Sequence, residues 1–354
     1  MTDGFPRILV IKLRYLGDVL LTTPVFDALR SRFPDAFIAA AVNKGTEDML
    51  TRHPAIDRIF TVERGSNFLS DLQKQFRLIK EIRNDKFDMV LDLTWNERAA
   101  VLAYMSGAKR RLSYKMERKK GLNLSLLFTD LIEIEKNLHI VKKHLEMTKA
   151  LECFLPSAKP TIYWSPQDQS TCEAILKNNG VSDNLPYVVL HPSSNALYKV
   201  WTAEGYAAIC DYLLKKWAIL TILICGNDAE ELRLNRAICA LAKSRPLNLG
   251  GQLSLKQTAV LLSKSVLFIG IDSGPMHIAT AVNTAVVAIF GPSRSWRWGP
   301  WGEGHEIIQK DWPCVPCGEK GCDGTGRSRC LDELSVEEVT AVLEPRIKLI
   351  LQER

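Results

Sequence analysis

The turn after the first apolar run of the chain has the residues for acid–base chemistry. The run Ile8-Leu-Val-Ile-Lys-Leu13 is apolar on both faces, as is typical of a central parallel strand, and Arg14-Tyr-Leu-Gly-Asp18 follows it. Gly17 permits a tight turn and the close approach of a ligand. Asp18 begins the next predicted helix, where it either caps that helix or takes a proton from an attacking hydroxyl group. The turn lacks the G-x-G-x-x-G spacing of a dinucleotide site.

A second segment combines hydroxyl groups with a lysine at the end of another predicted strand. In His191-Pro-Ser-Ser-Asn195 the strand gives way to Ser193 and Ser194, and Lys199 follows before a helix predicted from Thr202. Hydroxyls, backbone N–H groups and an ammonium group at such a turn suit a diphosphate. The alternative is a capped loop with a surface lysine.

A third segment, Asp272-Ser-Gly-Pro-Met-His277, follows a buried strand. Gly274 allows close approach, and Pro275 preorganises the following helix at its first position. The N–H groups of Gly274, Met276 and His277 would face an anion, and the His277 ring could donate as well. A lone histidine is usually structural, but its place in the first turn of a helix beyond a strand end favours a functional role.

Asp228 closes the segment Cys225-Gly-Asn-Asp228 after a further predicted strand. A carboxylate there could accept hydrogen bonds from ribose hydroxyls, as in dinucleotide sites. It could equally cap the helix predicted from Ala229.

Four of the nine cysteines lie close together near the C-terminus. Cys314, Cys317, Cys322 and Cys330 have the spacing C-x2-C-x4-C-x7-C. Four thiols could surround a tetrahedral zinc ion, although the last two gaps are not those of a common zinc finger. We expect no cofactor and no metal, with structural zinc as the alternative to reduced thiols.

Strands and helices alternate in both halves of the chain. Strands are predicted at 8–13, 36–42, 58–62, 88–93, 111–113, 187–191, 219–225, 247–249, 266–271 and 285–290, and helices at 18–32, 46–52, 68–84, 96–105, 138–154, 202–216, 229–242, 254–262, 275–281 and 336–351. Repeated β-α units predict an α/β fold with doubly wound parallel sheets.

The alternation is interrupted by a proline-rich stretch. We therefore predict an N-terminal Rossmann-like domain at 1–155, a linker at 156–166 that contains Pro156, Pro160 and Pro166, and a C-terminal Rossmann-like domain at 167–354. Ligands of such sheets lie beyond the carboxyl ends of the strands, so the prediction is a ligand in a cleft between two facing domains.

The net charge of +6 is unevenly distributed. Residues 1–155 contain 26 Lys and Arg against 20 Asp and Glu, whereas residues 156–354 contain 20 of each. Much of the excess lies in one segment: Lys109, Arg110, Arg111, Lys115, Arg118, Lys119 and Lys120. Such a cluster attracts phosphate groups on a substrate, an anionic membrane or a nucleic acid, unless it is only a solvated loop. No base-reading pattern accompanies it, so a nucleic acid is the least favoured partner.

The sequence predicts neither a membrane span nor a signal peptide. Its longest apolar runs are strand-sized, and residues 1–7 lack the basic and apolar regions of a signal peptide. These features predict a cytoplasmic protein.

Taken in order, four segments resemble glycosyltransferase family 9, the lipopolysaccharide heptosyltransferases. They are ILVIKLRYLGDVLLTTP at 8–24, HPSSNALYKVW at 191–201, FIGIDSGPMHIAT at 268–280 and FGPSRSWRWGPW at 290–301. The resemblance covers nearly the whole chain. Its Lys12-Leu-Arg-Tyr15 start and its length look closest to the heptosyltransferase III type, which adds the third, branching heptose of the inner core.

The resemblance implies a GT-B fold and an inverting, metal-independent transfer of heptose from ADP-L-glycero-β-D-manno-heptose. Asp18 matches the general base that deprotonates an acceptor-heptose hydroxyl. The C-terminal domain would bind the donor and the N-terminal domain the acceptor. The positions that match donor-binding residues of the family are Ser193, Ser194, Lys199, Asp228, Asp272, Ser273, Gly274, Pro275, Met276 and His277.

The acceptor is less well defined. The family often has a serine-rich turn where this chain has Arg14-Tyr15-Leu16, so we expect Arg14 and the basic segment to bind a phosphorylated, lipid-anchored lipopolysaccharide core at the inner face of the inner membrane. The alternatives are a heptosyltransferase II or another family 9 transferase, and a non-catalytic nucleotide-sugar-binding protein that docks on the membrane.

Overall fold

The computed structural model describes residues 5–63, 68–115, 123–155, 158–182 and 185–352. The chain divides into two compact units, Met1–Tyr163 and Trp164–Arg354. The division falls within the proline-rich stretch. Its residues before Trp164 pack on the first unit, because the Thr161 N–H donates to Thr23 Oγ1 at 2.9 Å and Ile162 is buried. The acceptor and donor roles given to the two units stay predictions.

The first unit is built on a six-stranded parallel sheet. Its strands are β1 (Arg7–Lys12), β2 (Phe37–Asn43), β3 (Arg58–Val62), β4 (Met89–Asp92), β5 (Arg110–Tyr114) and β6 (Asp130–Ile132). They lie in the order β3-β2-β1-β4-β5-β6. β1 is central because it is apolar on both faces and is covered on both.

Helices cover both faces of this sheet. They are α1 (Leu16–Leu20), α2 (Thr23–Arg32), α3 (Phe68–Asn84), α4 (Glu97–Met105) and α5 (Ile140–Lys149), with short 3-10 turns at Glu47–Met49 and Leu124–Leu127. One core cluster joins β1, β2 and β3 to α3 and α4, with Leu9, Phe60, Ile82 and Ala103 among its buried members.

The second unit repeats the plan. Its strands are β7 (Tyr187–His191), β8 (Leu220–Leu223), β9 (Leu247–Asn248), β10 (Leu267–Ile271), β11 (Val286–Phe290) and β12 (Glu306–Gln309), in the order β12-β11-β10-β7-β8-β9. Counted from its own first strand, this is the same 3-2-1-4-5-6 order as in the first unit. The predicted α/β class with two Rossmann-like units is confirmed.

The described part of the second unit contains eight helices. They are α6 (Pro166–Asn178), α7 (Ala203–Trp217), α8 (Ala229–Leu241), α9 (Leu255–Lys264), α10 (Gly274–Ala281), α11 (Ser295–Trp298), α12 (Arg329–Asp332) and α13 (Val336–Gln352), with 3-10 turns at Leu197–Lys199 and Cys322–Gly324. The buried Trp201 joins α7 to the C-terminal region, since its indole N–H donates to the Leu334 carbonyl at 2.9 Å.

The helix predicted at 18–32 is two helices, α1 and α2. Pro24 has no N–H to continue the helical ladder, so the chain breaks before α2. Hydroxyl groups take over the bonding at the break: Thr22 Oγ1 donates to the Val19 carbonyl at 2.6 Å and Thr23 Oγ1 to the Leu20 carbonyl at 2.9 Å. The one-helix prediction was wrong here.

Five elements were missed, namely β6, β12, α6, α11 and α12, and two predicted helices are much shorter. β6 and β12 are edge strands with partly exposed residues, so they lack the apolar signal of central strands. α6 is polar and buries only Cys172 and Leu176, while its Pro166 occupies the first turn after a Ser165 cap. The helix predicted at 46–52 is a single 3-10 turn, and the one at 138–154 is only α5.

Within the described ranges, no helix has both the length and the apolar character that a membrane crossing requires.

Candidate active site

Asp18 lies in the first turn of α1, directly after the central strand of the first unit. The cap of α1 is Tyr15, whose side chain makes no capping hydrogen bond, so Asp18 is the third helical residue and not the cap. The capping alternative for Asp18 was therefore wrong. An acidic side chain in the first turn is favoured by the helix dipole, and 18% of this one is exposed.

A buried lysine lies beside this carboxylate. Lys12 is the last residue of β1, and only 5% of its side chain is exposed. Its Nζ lies 3.5 Å from Asp18 Oδ1 and donates to the Leu93 carbonyl at 3.1 Å. Burial lowers the pKa of Lys12, and the Asp18 carboxylate opposes that shift. Asp18, the candidate base, therefore has the buried ammonium group of Lys12 beside it.

The neighbouring strand β4 ends in a second, buried carboxylate. Asp92 Oδ1 accepts from the Thr94 N–H at 2.8 Å and from the Trp95 N–H at 3.3 Å. Burial raises the pKa of Asp92 to about 6, against the effect of those hydrogen bonds. Thr94 Oγ1 accepts from the Leu13 N–H at 2.7 Å, which ties the ends of β1 and β4 together. The strand order reverses between these two strands, and ligands of doubly wound sheets bind at that point.

Two further polar side chains, His144 and Tyr114, continue the contacts of Lys12. Lys12 Nζ lies 3.2 Å from His144 Nε2, and His144 Nδ1 lies 2.6 Å from the Tyr114 hydroxyl. All three side chains are buried. Asp92, Tyr114 and His144 were not predicted as site residues. Lys12 carried a usable signal, because a lysine inside an otherwise apolar parallel strand needs a partner.

In the second unit the predicted lysine and acid form an ion pair. Lys199 Nζ lies 2.6 Å from Asp272 Oδ2, with 24% of the lysine and 12% of the aspartate side chain exposed. Lys199 ends a 3-10 turn, and Asp272 directly follows β10. The sequence therefore predicted two members of one cluster from segments 73 residues apart.

A buried histidine and two serines adjoin that pair. His191 ends β7, its Nδ1 lies 3.2 Å from Ser273 Oγ, and burial lowers its pKa to about 4, so it is neutral at pH 7. Ser193 Oγ is buried without a hydrogen-bond partner among the described residues, and Ser194 Oγ accepts from the Ala196 N–H at 3.2 Å. Binding of a donor phosphate by the Ser193 hydroxyl stays a prediction. His191 was not predicted.

The turn into α10 differs in detail from the prediction. The helix begins at Gly274, so Pro275 is its second residue, and the Ser273 cap makes no side-chain capping bond. Met276 and His277 are both buried. Backbone N–H groups at this helix start remain suited to an anion. Ligand binding by the side chain of His277 stays a prediction.

Asp228 caps α8. Its Oδ1 accepts from the Glu230 N–H at 2.9 Å and from the Glu231 N–H at 3.4 Å. The capping alternative is therefore present in the structure. A contact from the same carboxylate to a ribose stays a prediction.

Most described members of the basic segment already have partners. Arg110 pairs with Asp130 at 3.1 Å and Lys115 with Glu133 at 2.9 Å. Arg111 donates to the Leu127 and Ala108 carbonyls. Their binding of an acceptor stays a prediction, as it does for the exposed Lys109 and Arg14. The remaining candidates, Arg118, Lys119 and Lys120, lie outside the described residues.

The four C-terminal cysteines are free thiols. Cys314 and Cys317 are exposed, Cys322 is half-buried, and burial raises the pKa of the Cys330 thiol to about 11. In the part of the chain that the structure describes, no three or more His, Cys, Asp or Glu side chains are grouped so as to hold a metal ion.

Known proteins share this architecture. Residues 75–326 match the sequence model of "Glycosyltransferase family 9 (heptosyltransferase)". Lipopolysaccharide heptosyltransferase 3 of Escherichia coli K12 is 29% identical over 299 residues, which cover 84% of this chain and 85% of that protein.

Two solved structures show the same fold over nearly their whole length. A family 9 glycosyl transferase from Veillonella parvula superimposes with a TM-score of 0.85 at 22% identity, covering 99% of each chain. E. coli ADP-heptose lipopolysaccharide heptosyltransferase II superimposes with a TM-score of 0.76 at 20% identity, covering 98% of this chain and 99% of that one. The predicted GT-B class is confirmed. Because the family match spans most of its length, the chain belongs to glycosyltransferase family 9.

Proposed function

We propose that this glycosyltransferase moves L-glycero-D-manno-heptose from ADP-heptose to the heptose region of the lipopolysaccharide inner core, and that it adds the third, branching heptose. Family membership supports the transfer of heptose. The 29% identity to lipopolysaccharide heptosyltransferase 3 over 84% of the chain supports the branch position.

The observation that carries the proposal is the Asp18 carboxylate, partly exposed in the first turn of α1 beside a buried ammonium group. Asp18 takes the proton from an acceptor-heptose hydroxyl while that oxygen attacks the anomeric carbon of the donor. The new glycosidic bond forms as the bond from the anomeric carbon to the phosphate oxygen breaks. ADP leaves with that electron pair, and the configuration is inverted. No metal ion takes part.

Donor binding is assigned to the second unit. The leaving diphosphate gains negative charge, which a fixed cation and oriented donors stabilise. Lys199 supplies the cation, since an ammonium group has three donors and Asp272 occupies one. The Ser193 and Ser194 hydroxyls and the N–H groups of the turn from Ser273 to His277 supply further donors. In this proposal, Asp228 accepts from the ribose.

We also propose that the enzyme works at the cytoplasmic face of an anionic membrane, where a lipid-anchored acceptor is found. The charge excess of the first half of the chain supports this, as does the exposure of Phe76 (72%) and Leu126 (78%) on the first unit. Co-sedimentation with anionic but not with zwitterionic vesicles tests it. Equal recovery with both vesicle types would contradict an electrostatic attachment.

The function is tested by incubating the purified protein with ADP-heptose and a series of truncated cores, with EDTA present, and reading product mass and linkage. We expect one heptose to be added only to cores that already hold two. Addition to a core with one heptose would instead indicate the second-heptose activity. Tight ADP-heptose binding with no product on any core would favour a non-catalytic binding protein.

A further inference from the structure

The ammonium group of Lys12 is surrounded by acceptor groups of the first unit. It has three N–H donors and no acceptor, and three groups surround it: the Leu93 carbonyl at 3.1 Å, His144 Nε2 at 3.2 Å and Asp18 Oδ1 at 3.5 Å. Burying an ammonium group is costly unless such partners are present. The position of Lys12 is therefore fixed from three directions.

The surroundings of Lys12 determine how His144 bonds. Since a charged lysine only donates, His144 Nε2 must accept, and the ring proton lies on Nδ1. The Nδ1–H then donates to the Tyr114 oxygen at 2.6 Å. The lysine thus fixes the histidine tautomer, and the hydrogen bond to Tyr114 holds the ring that orients the ammonium group. The three side chains form one connected chain that ends at Asp18.

Two carboxylates, Asp18 and Asp92, act on the ammonium group of Lys12, and they differ in the hydrogen bonds that they accept from other groups. Asp92 already accepts from the Thr94 and Trp95 N–H groups on one oxygen and from Ser113 Oγ at 3.4 Å on the other. Asp18 has no comparable set of donors among its described contacts, and it is the partner with an exposed edge. Arg14, the other cation that acts on Lys12, is exposed.

We propose that Lys12, backed by His144 and Tyr114, is a positioning residue that holds the Asp18 carboxylate in one orientation for proton transfer. This inference rests on the proposed role of Asp18 as the base. Lys12 need not touch either substrate, because it acts through the carboxylate.

The test compares kcat and the Kd for ADP between Lys12→Met and the wild type at pH 7, with ADP-heptose and the accepted core as substrates. Without the ammonium group the carboxylate is no longer held in one orientation, so we expect kcat to fall about 10-fold or more. The Kd for ADP should not change. A folded Lys12→Met protein with the wild-type kcat would overturn the proposal.

Tyr114→Phe keeps the test decisive if Lys12→Met does not fold, since it removes only one hydroxyl group. We expect kcat to fall about 3-fold with an unchanged Kd for ADP. A wild-type kcat in this variant would overturn the supporting role of His144 and Tyr114. Lys256→Met is the matched control, because Lys256 is also a buried lysine but belongs to α9 of the second unit. It should leave kcat unchanged.

Asp18→Ala separates this proposal from the one on which it rests. If Asp18→Ala retains full turnover, the base assignment fails. If Asp18→Ala is inactive while Lys12→Met keeps the wild-type kcat, the base assignment stands and only the positioning role fails.

Discussion

The two units have the same strand order but opposite arrangements of lysine and aspartate where that order reverses. In the first unit the lysine ends a strand with 5% of its side chain exposed, and the aspartate on the next helix is 18% exposed. In the second unit the aspartate follows the strand at 12% exposure, and the lysine in a neighbouring loop is 24% exposed.

The difference shows how one scaffold can supply two kinds of chemistry. In each ion pair the less exposed side chain holds its charged partner in place, and the more exposed side chain can contact a ligand. An exposed carboxylate can accept a proton, whereas an exposed ammonium group can bind a diphosphate. We therefore expect Asp18 to govern the rate of transfer and Lys199 to govern nucleotide affinity.

The largest effect should come from removing the exposed member of the first pair. In Asp18→Ala we expect turnover to fall at least ~100-fold, because the variant lacks the proposed acceptor of the proton from the attacking hydroxyl. Steady-state kinetics and ADP titration calorimetry on the same preparation measure this. Turnover within about 3-fold of wild type would show that Asp18 is not the base.

Removing the exposed member of the second pair should change affinity. Lys199→Ala should weaken ADP binding by ~1.5–3 kcal/mol, the range for a hydrogen bond to a charged group. Lys216→Ala is the control, because Lys216 pairs with Glu344 at 2.7 Å on the exposed face of α7. An unchanged Kd for Lys199→Ala would remove that residue from the donor site.

His191 in the second unit and Asp92 in the first are buried titratable groups. Their contributions to the free energy of unfolding should change with pH in opposite directions. The pKa of His191 falls from 6.5 to about 4 on folding, so its contribution to stability is complete above pH 6.5 and is lost as the pH falls toward 4. The pKa of Asp92 rises from 3.8 to about 6, so its contribution is complete below pH 3.8 and is lost as the pH rises toward 6.

His191→Gln should therefore lose less stability on acidification than the wild type. Between pH 7 and pH 5 we expect the difference in the free energy of unfolding to be ~2 kcal/mol, measured by urea unfolding at both pH values. Asp92→Asn should instead lose less stability than the wild type when the pH rises from 3.8 to about 6. Equal acid sensitivity of wild type and His191→Gln would show that His191 is not held neutral by burial.

The smallest effect concerns Asp228. Asp228→Ala removes the cap of α8 and should cost ~1 kcal/mol of stability. If the carboxylate also binds the ribose, ADP affinity should fall as well, whereas Asp228→Ser keeps a capping oxygen and should restore stability but not affinity. Full ADP affinity in both variants would leave Asp228 with the cap alone.

Much of the fold followed from the sequence because central parallel strands are apolar on both faces. The predicted strand at 187–191 and the predicted helix at 68–84 have the observed bounds. The edge strands β6 and β12 were missed, since partly exposed strands lack that signal. The break before Pro24 was missed because helical spacing of apolar residues continues across it.

The site residues that follow the end of a predicted strand could be predicted from the sequence. Asp18, Lys199 and Asp272 each follow a readable strand. Their partners did not stand out, since His144 lies on a helix 132 residues from Lys12 in sequence, and only the fold brings them together. Composition also does not show that Arg110 and Lys115 pair with acidic side chains of their own unit, and their binding of an acceptor stays a prediction.

The most direct test of the two-pair comparison is to measure ADP affinity and heptose turnover side by side for Asp18→Asn and Lys199→Met. We predict that Asp18→Asn binds ADP with the wild-type Kd and transfers heptose at least ~100-fold more slowly, whereas Lys199→Met weakens ADP binding at least ~10-fold. A result in which Asp18→Asn weakens ADP as much as Lys199→Met does, or in which Lys199→Met binds ADP normally, would contradict the division of chemistry between the two units.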